Sequence, residues 1–135
     1  MKVTNLLLNI TSENPDRLFQ FYRDVIGLEL EPNMGDHALQ AGGGAVLAFD
    51  GHAQTSGQAK EPSRYLVDLF TEDDVRTERE RLEALGVPFI RKEGVEYWGG
   101  VISTFVDPDG NYGQIIKFDP ALARPEEAPE PVAAS

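Results

Sequence analysis

Hydrophobic and polar positions along this chain switch between two periods, and they do so in the same order twice. Residues 3–10, Val-Thr-Asn-Leu-Leu-Leu-Asn-Ile, form a short apolar run that predicts a buried strand. Ser12 or Asn14 is placed to cap a helix that has Pro15 at its first position, where no N–H is needed, and Asp16 complements the dipole. Leu18, Phe21, Tyr22 and Val25 follow at helical spacing, predicting one sheet-facing stripe, and Gly27 supplies a left-handed stop. Short strands are predicted at Leu28 to Glu31, His37 to Ala41 and Ala45 to Asp50, with Asn33 to Asp36 and Gly42 to Gly44 as turns.

The order then recurs. Tyr65 to Thr71 reads as a strand, and Asp73 or Asp74 opens a helix that runs to Leu85 and stops at Gly86. Strands follow at Val87 to Arg91, Gly100 to Val106 and Tyr112 to Phe118, the last two joined by the Asp107-Pro108-Asp109-Gly110-Asn111 turn. The second helix is less amphipathic, and its Arg76 to Glu83 stretch alternates charge as a solvated surface does. This divides the chain into a first module at 1–50, a linker rich in Gly, Ser, Gln and Ala at 51–64, a second module at 65–119 and a tail at 120–135. The tail sets three glutamates among prolines and alanines and is expected to hang free.

Composition narrows the function classes. With 135 residues, 41% of them hydrophobic, the chain can bury a proper core. No apolar run reaches the roughly 18 residues a membrane helix needs. No signal-peptide pattern follows the first residues, so a cytoplasmic location is expected, with no membrane partner. The absence of cysteine rules out disulfides and thiolate metal sites. A formal charge of −11 repels phosphate backbones, which argues against nucleic acid, and draws in cationic small molecules. The same charge also simply keeps a protein soluble.

Catalytic constellations are sparse. There is no Gly-x-Ser-x-Gly elbow, and Gly42-Gly43-Gly44 lacks the Lys-Ser/Thr and helix of a phosphate loop. Asp68 interrupts the apolar Leu66-Val67-Asp68-Leu69 run; buried, it could act as acid or base, whereas on an outer face it is an ordinary surface carboxylate. His52 falls in the linker, and His37 either lines a pocket or faces solvent.

Phe21-Tyr22-Arg23-Asp24-Val25-Ile26-Gly27-Leu28 resembles the first-helix signature of the vicinal oxygen chelate superfamily, which groups glyoxalases, bleomycin-resistance proteins and extradiol dioxygenases. Leu82-Glu83-Ala84-Leu85-Gly86-Val87, Tyr97-Trp98-Gly99-Gly100 and the Asp107 to Asn111 turn resemble its second, and the likeness covers about residues 3–119. The resemblance implies an α+β fold of two βαβββ modules, each a curled four-stranded mixed sheet. The two sheets would close into a cup, commonly completed in a homodimer with or without exchanged modules. It also implies three metal-ligand positions, which fall on Asn5, Val67 and Gln114. An amide, an alkyl group and another amide do not offset the charge of a desolvated cation, so neither metal nor other cofactor is expected.

Alternation from those positions selects a ligand surface of Asn5, Leu7, Tyr65, Val67, Tyr112 and Gln114, joined by Leu47 and Phe49 on the matching strand, by His37, and by Tyr97 and Trp98 beside the glycines. Apolar and aromatic with a few amides, it suits a planar aromatic molecule held by stacking. The function expected is therefore binding without catalysis, as in the bleomycin-resistance members. The alternatives are a metal-dependent lyase, isomerase or dioxygenase, and a housekeeping metabolite-binding protein.

Overall fold

Strands and helices occur in the order that the periodicity predicts. A computed structural model describes residues 1–130, and residues 131–135 of the tail lie outside the described part. The first series is β1 (Leu7–Thr11), α1 (Pro15–Gln20), β2 (Glu29–Leu30), β3 (Ala38–Gln40) and β4 (Val46–Asp50). The second is β5 (Val67–Phe70), α2 (Val75–Ala84), β6 (Phe89–Val95), β7 (Gly100–Val106) and β8 (Tyr112–Phe118). Their sheets have the same architecture. Strand order is β1-β4-β3-β2 in one and β5-β8-β7-β6 in the other, each with a parallel first pair.

Local chemistry sets the helix ends. Asn14 caps α1 by accepting the Arg17 N–H at 3.1 Å, and Ser12 in turn accepts the Asn14 N–H at 3.0 Å. Asp74 caps α2, accepting the N–H and hydroxyl of Thr77. The first helix does not stay α-helical. It widens into a π-helical stretch, Phe21–Ile26, which closes at Gly27 with φ 96°, and the Gly27 N–H reaches back five residues to Tyr22 O. The widening buries Phe19, Phe21 and Tyr22 together and leaves Val25 half-buried, a broader stripe than 3.6-residue spacing alone gives.

Contacts divide the chain into two units that do not follow the repeat. Met1–Leu66 and Val106–Tyr112 form one, and Val67–Phe105 with the chain from Gly113 onward forms the other. In the first unit, α1 and its π extension pack on Leu39, Leu47 and Phe49, with Phe49 stacked on Tyr22 at 5.3 Å and edge-on to Phe19 at 6.2 Å. The Asp107 to Asn111 turn belongs to this unit. Asp107, buried, accepts from the Tyr22 hydroxyl at 2.9 Å and from the N–H groups of Asp109 and Asn111 and the Asn111 amide. Arg17 pairs with Asp109 at 2.8 Å. The linker is pinned here too: Thr55 bonds Thr11, and the Ala59 N–H donates to Asp109 O.

In the second unit, Val75 and Leu82 of α2 are buried along with Phe105 and Val87. Arg79 reaches across to β6, pairing with both Glu93 and Glu83. The segment after β8, expected to hang free, instead makes two 3-10 turns, Pro120–Leu122 and Pro125–Glu127. Asp119 caps the first turn, and the Arg124 N–H donates to Tyr97 O at 2.6 Å. Proline at the first position of each turn and a capping Asp make local structure possible where no apolar stripe exists.

Candidate functional site

Strand register decides which side chains share a face. In the second sheet, Gly113 stands under the Phe105 ring, since a Cβ built there would lie 2.2 Å from it, and Phe105 pairs with Phe89. Farther along β6, Lys92 and Glu93 reach Glu83 and Arg79 of α2. Val67 pairs with Gly113 and so shares this helix side, and it is buried. The sequence-based phase of this strand is therefore corrected by one residue: Asp68, not Val67, stands beside Gln114 on the face away from α2.

That face carries a polar row crossed by aromatic groups. Asp68 of β5 pairs with Gln114 of β8, Gln114 Nε2 donates to Thr104 Oγ1 of β7 at 3.2 Å, and Thr104 pairs with Arg91 of β6. Two residues along from Asp68 and Gln114 stand Phe70 and Ile116. Farther along β8, Phe118 stacks on Trp98, with centroids 6.1 Å apart and planes 24° apart. The Trp98 ring occupies the space a side chain at Gly100 would need, 2.2 Å from the ideal Cβ. Gly99 makes the turn possible with φ 97°, and its own Cβ would collide with Asp119 O at 2.5 Å. Trp98, Tyr97, Tyr112 and Gln114 are half-buried, while Phe70 and Phe118 are exposed.

In the first sheet, the face away from α1 holds Leu7 and Asn9 of β1 beside Val46 and Ala48 of β4. Leu47 and Phe49 point the other way, into the packing with Tyr22 and Phe19, because Val46 to Phe49 is apolar on both faces and its phase cannot be read from alternation. His37 lies on that helix side as well, edge-on to Phe19 at 4.9 Å and 2.5 Å from Asp16. Leu47, Phe49 and His37 therefore lie on the helix side of the first sheet, opposite Leu7 and Asn9. Asn5 and Tyr65 fall just before β1 and β5, outside the sheets, and both are exposed. Alternation did not place Asp68, Thr104 or Phe70 on this face; the one signal for Asp68 was the lone carboxylate in an apolar strand.

The residues at the family's metal positions do not fit a divalent cation. In the second unit, Asp68 and Gln114 offer one carboxylate and one amide, and an amide oxygen is a weak donor beside the imidazoles and carboxylates that hold such ions. Among the described residues, no group of three or more His, Cys, Asp or Glu side chains is gathered for a metal. No helix among them is long and apolar enough to cross a membrane.

Comparison with known proteins accords with this architecture. A Vibrio cholerae integron cassette protein is 20% identical over 88% of this chain and 98% of its own, with a TM-score of 0.65. TnmS3, an antibiotic-binding protein from a Streptomyces species, is 23% identical over 88% of this chain and 99% of its own, with a TM-score of 0.65. A lactoylglutathione lyase from Agrobacterium tumefaciens is 21% identical over 86% and 94% of the two chains, with a TM-score of 0.62. At these identities the likeness is one of fold. No curated protein matches the chain. Residues 6–115 match the family model described as Glyoxalase/Bleomycin resistance protein/Dioxygenase superfamily, and the chain belongs to that superfamily.

Proposed function

We propose that this protein captures a planar aromatic small molecule on the face of its second sheet that carries Trp98, and holds it without transforming it. One observation supports this reading above the others: the Trp98–Phe118 stack, set over a glycine, offers a π surface, and the half-buried Gln114 amide lies farther along the same face of β8. Tyr97 adjoins it in the chain and is half-buried. One carboxylate and one amide are too few strong donors for the Lewis acid that a lyase, isomerase or dioxygenase of this superfamily would use. Protection by capture needs affinity and abundance only. The fold it shares with the antibiotic-binding TnmS3 accommodates such a role.

The protein works as a homodimer in this reading. Each sheet ends in an edge strand, β1 or β5, and Leu7 is 39% exposed and Phe70 65% exposed along them, surface that a second copy would cover. Light scattering should return twice the chain mass.

Trp98 is the single tryptophan, so its emission reports directly on the site. Titration with a panel of planar polycyclic natural products should quench it saturably, at one ligand per site. Emission unchanged across the panel would favour a housekeeping role with a different metabolite. A tightly held divalent ion together with turnover lost on chelation would replace capture with catalysis.

A further inference from the structure

The polar row on the second sheet is electrostatically lopsided. Gln114 is engaged with Thr104, and Arg91 at the far edge is neutralised by Glu96 at 2.8 Å. Asp68, at the near edge, has no hydrogen-bonding or ionic partner among the described residues. Its side chain is exposed, and it stands beside Gln114 on the open face. Beside it on the same face is the exposed ring of Phe70, opposite Ile116. From the Asp68–Gln114 pair to the Trp98–Phe118 stack is four residues along β8, about 13 Å. The surface thus runs from an unpaired negative charge, past one aromatic ring, to a stacked pair of them.

We infer that this face selects a planar aromatic cation, with the Asp68 carboxylate receiving the protonated nitrogen while the rings lie along Phe70 toward Trp98. The inference rests on the capture reading and adds to it the charge of the ligand. A neutral polycycle would leave the carboxylate partly desolvated and unpaired, and an anionic one would meet it head on. An ammonium or amidinium gains a charge-assisted hydrogen bond there, and the adjacent ring adds a cation–π contact. One carboxylate flanked by an amide and a hydroxyl is a poor cradle for a bare metal ion but matches a single organic cation.

The test uses three probes with one ring system and three charges: aminoacridine (cationic), acridine (neutral) and acridine carboxylate (anionic) at mildly alkaline pH, titrated into the full chain by calorimetry. The wild type should bind aminoacridine about tenfold more tightly than acridine, the scale of one hydrogen bond to a charged group, with the carboxylate weakest. Asp68→Asn should bring aminoacridine to within about twofold of acridine while leaving acridine itself unchanged. Asp68→Ser serves the same purpose if the first variant melts early. Glu72→Gln, a nearby exposed acid on the Thr71–Asp74 segment, removes the same net charge and should preserve the preference. If the preference survives Asp68→Asn, or drops equally in Glu72→Gln, Asp68 is not the recipient and only the capture reading stands. If none of the three probes binds, capture on this face fails and the inference with it.

Discussion

The Tyr22 hydroxyl is the sharpest place to test how the first unit is held. Tyr22 is fully buried, and its hydroxyl donates to Asp107 Oδ2 at 2.9 Å. Asp107 is 4% exposed and has no basic partner among the described residues, so four hydrogen bonds alone stabilise its charge. Tyr22→Phe removes one of the four without altering the ring packing on Phe49. A hydrogen bond to a buried charged group contributes roughly 1.5–3 kcal/mol, so a loss of about 2 kcal/mol is expected. Unfolding entropy of about 2.1 cal/mol/K per residue over 135 residues converts this to a fall in Tm of about 7 °C.

The pH dependence has a definite sign. Burial raises the Asp107 carboxyl above its ordinary value despite the hydrogen bonds that oppose the rise. A carboxyl whose folded value is raised contributes stability that is fully present below its unfolded value and is lost as pH climbs through the folded one. Removing the Tyr22 hydroxyl raises the folded value further, so the deficit of Tyr22→Phe should be smallest in acid and widen toward neutrality. Thermal melts by circular dichroism from mildly acidic to mildly alkaline pH would show this. A Tm within a degree of wild type at neutral pH, or a deficit identical at every pH, would refute the account of Asp107 as a buried charge held by these donors.

Three further outcomes follow from packing. Ser103 Oγ is buried with no hydrogen-bond partner among the described residues, so Ser103→Ala should raise stability by about 1 kcal/mol in urea unfolding, and a loss would mean the hydroxyl is satisfied after all. Phe49→Ala should cost about 3–5 kcal/mol yet leave the affinity of the folded protein for an aromatic ligand unchanged, whereas Trp98→Ala should weaken binding in calorimetry with little loss of stability. The reverse result would return Phe49 to the ligand surface. Gly99→Ala forces a Cβ onto Asp119 O at a positive φ, so it should lower Tm by several degrees and loosen Trp98, seen as a red shift of its emission.

Much of the fold was legible because the chain marks its boundaries with groups that have one use each. Asn14 and Pro15 start one helix and Asp74 the other, Gly27 and Gly86 stop them, and the Asp107 to Asn111 turn joins two strands whose predicted limits agree with those observed. The candidate site was less legible, for a different physical reason. Val46-Leu47-Ala48-Phe49 is apolar on both faces and Leu66-Val67-Asp68-Leu69-Phe70 nearly so, as strands in parallel pairs tend to be, so a period of two has little beyond Asp68 to set its phase. A slip of one residue then exchanges Val67 for Asp68 and places Leu47 and Phe49 on the wrong side. Only the pairing partners resolve the choice.

The boundary between the two units has a consequence for how the chain is made. Residues 1–66 emerge from the ribosome carrying Tyr22 and Arg17, but the segment that satisfies them, 106–112, is some forty residues from being synthesised. Until then the Tyr22 hydroxyl is without Asp107 and the Arg17 guanidinium without Asp109. Although the strand order is written twice, the first unit is not closed until the Asp107 to Asn111 turn, written in the second series, has been made.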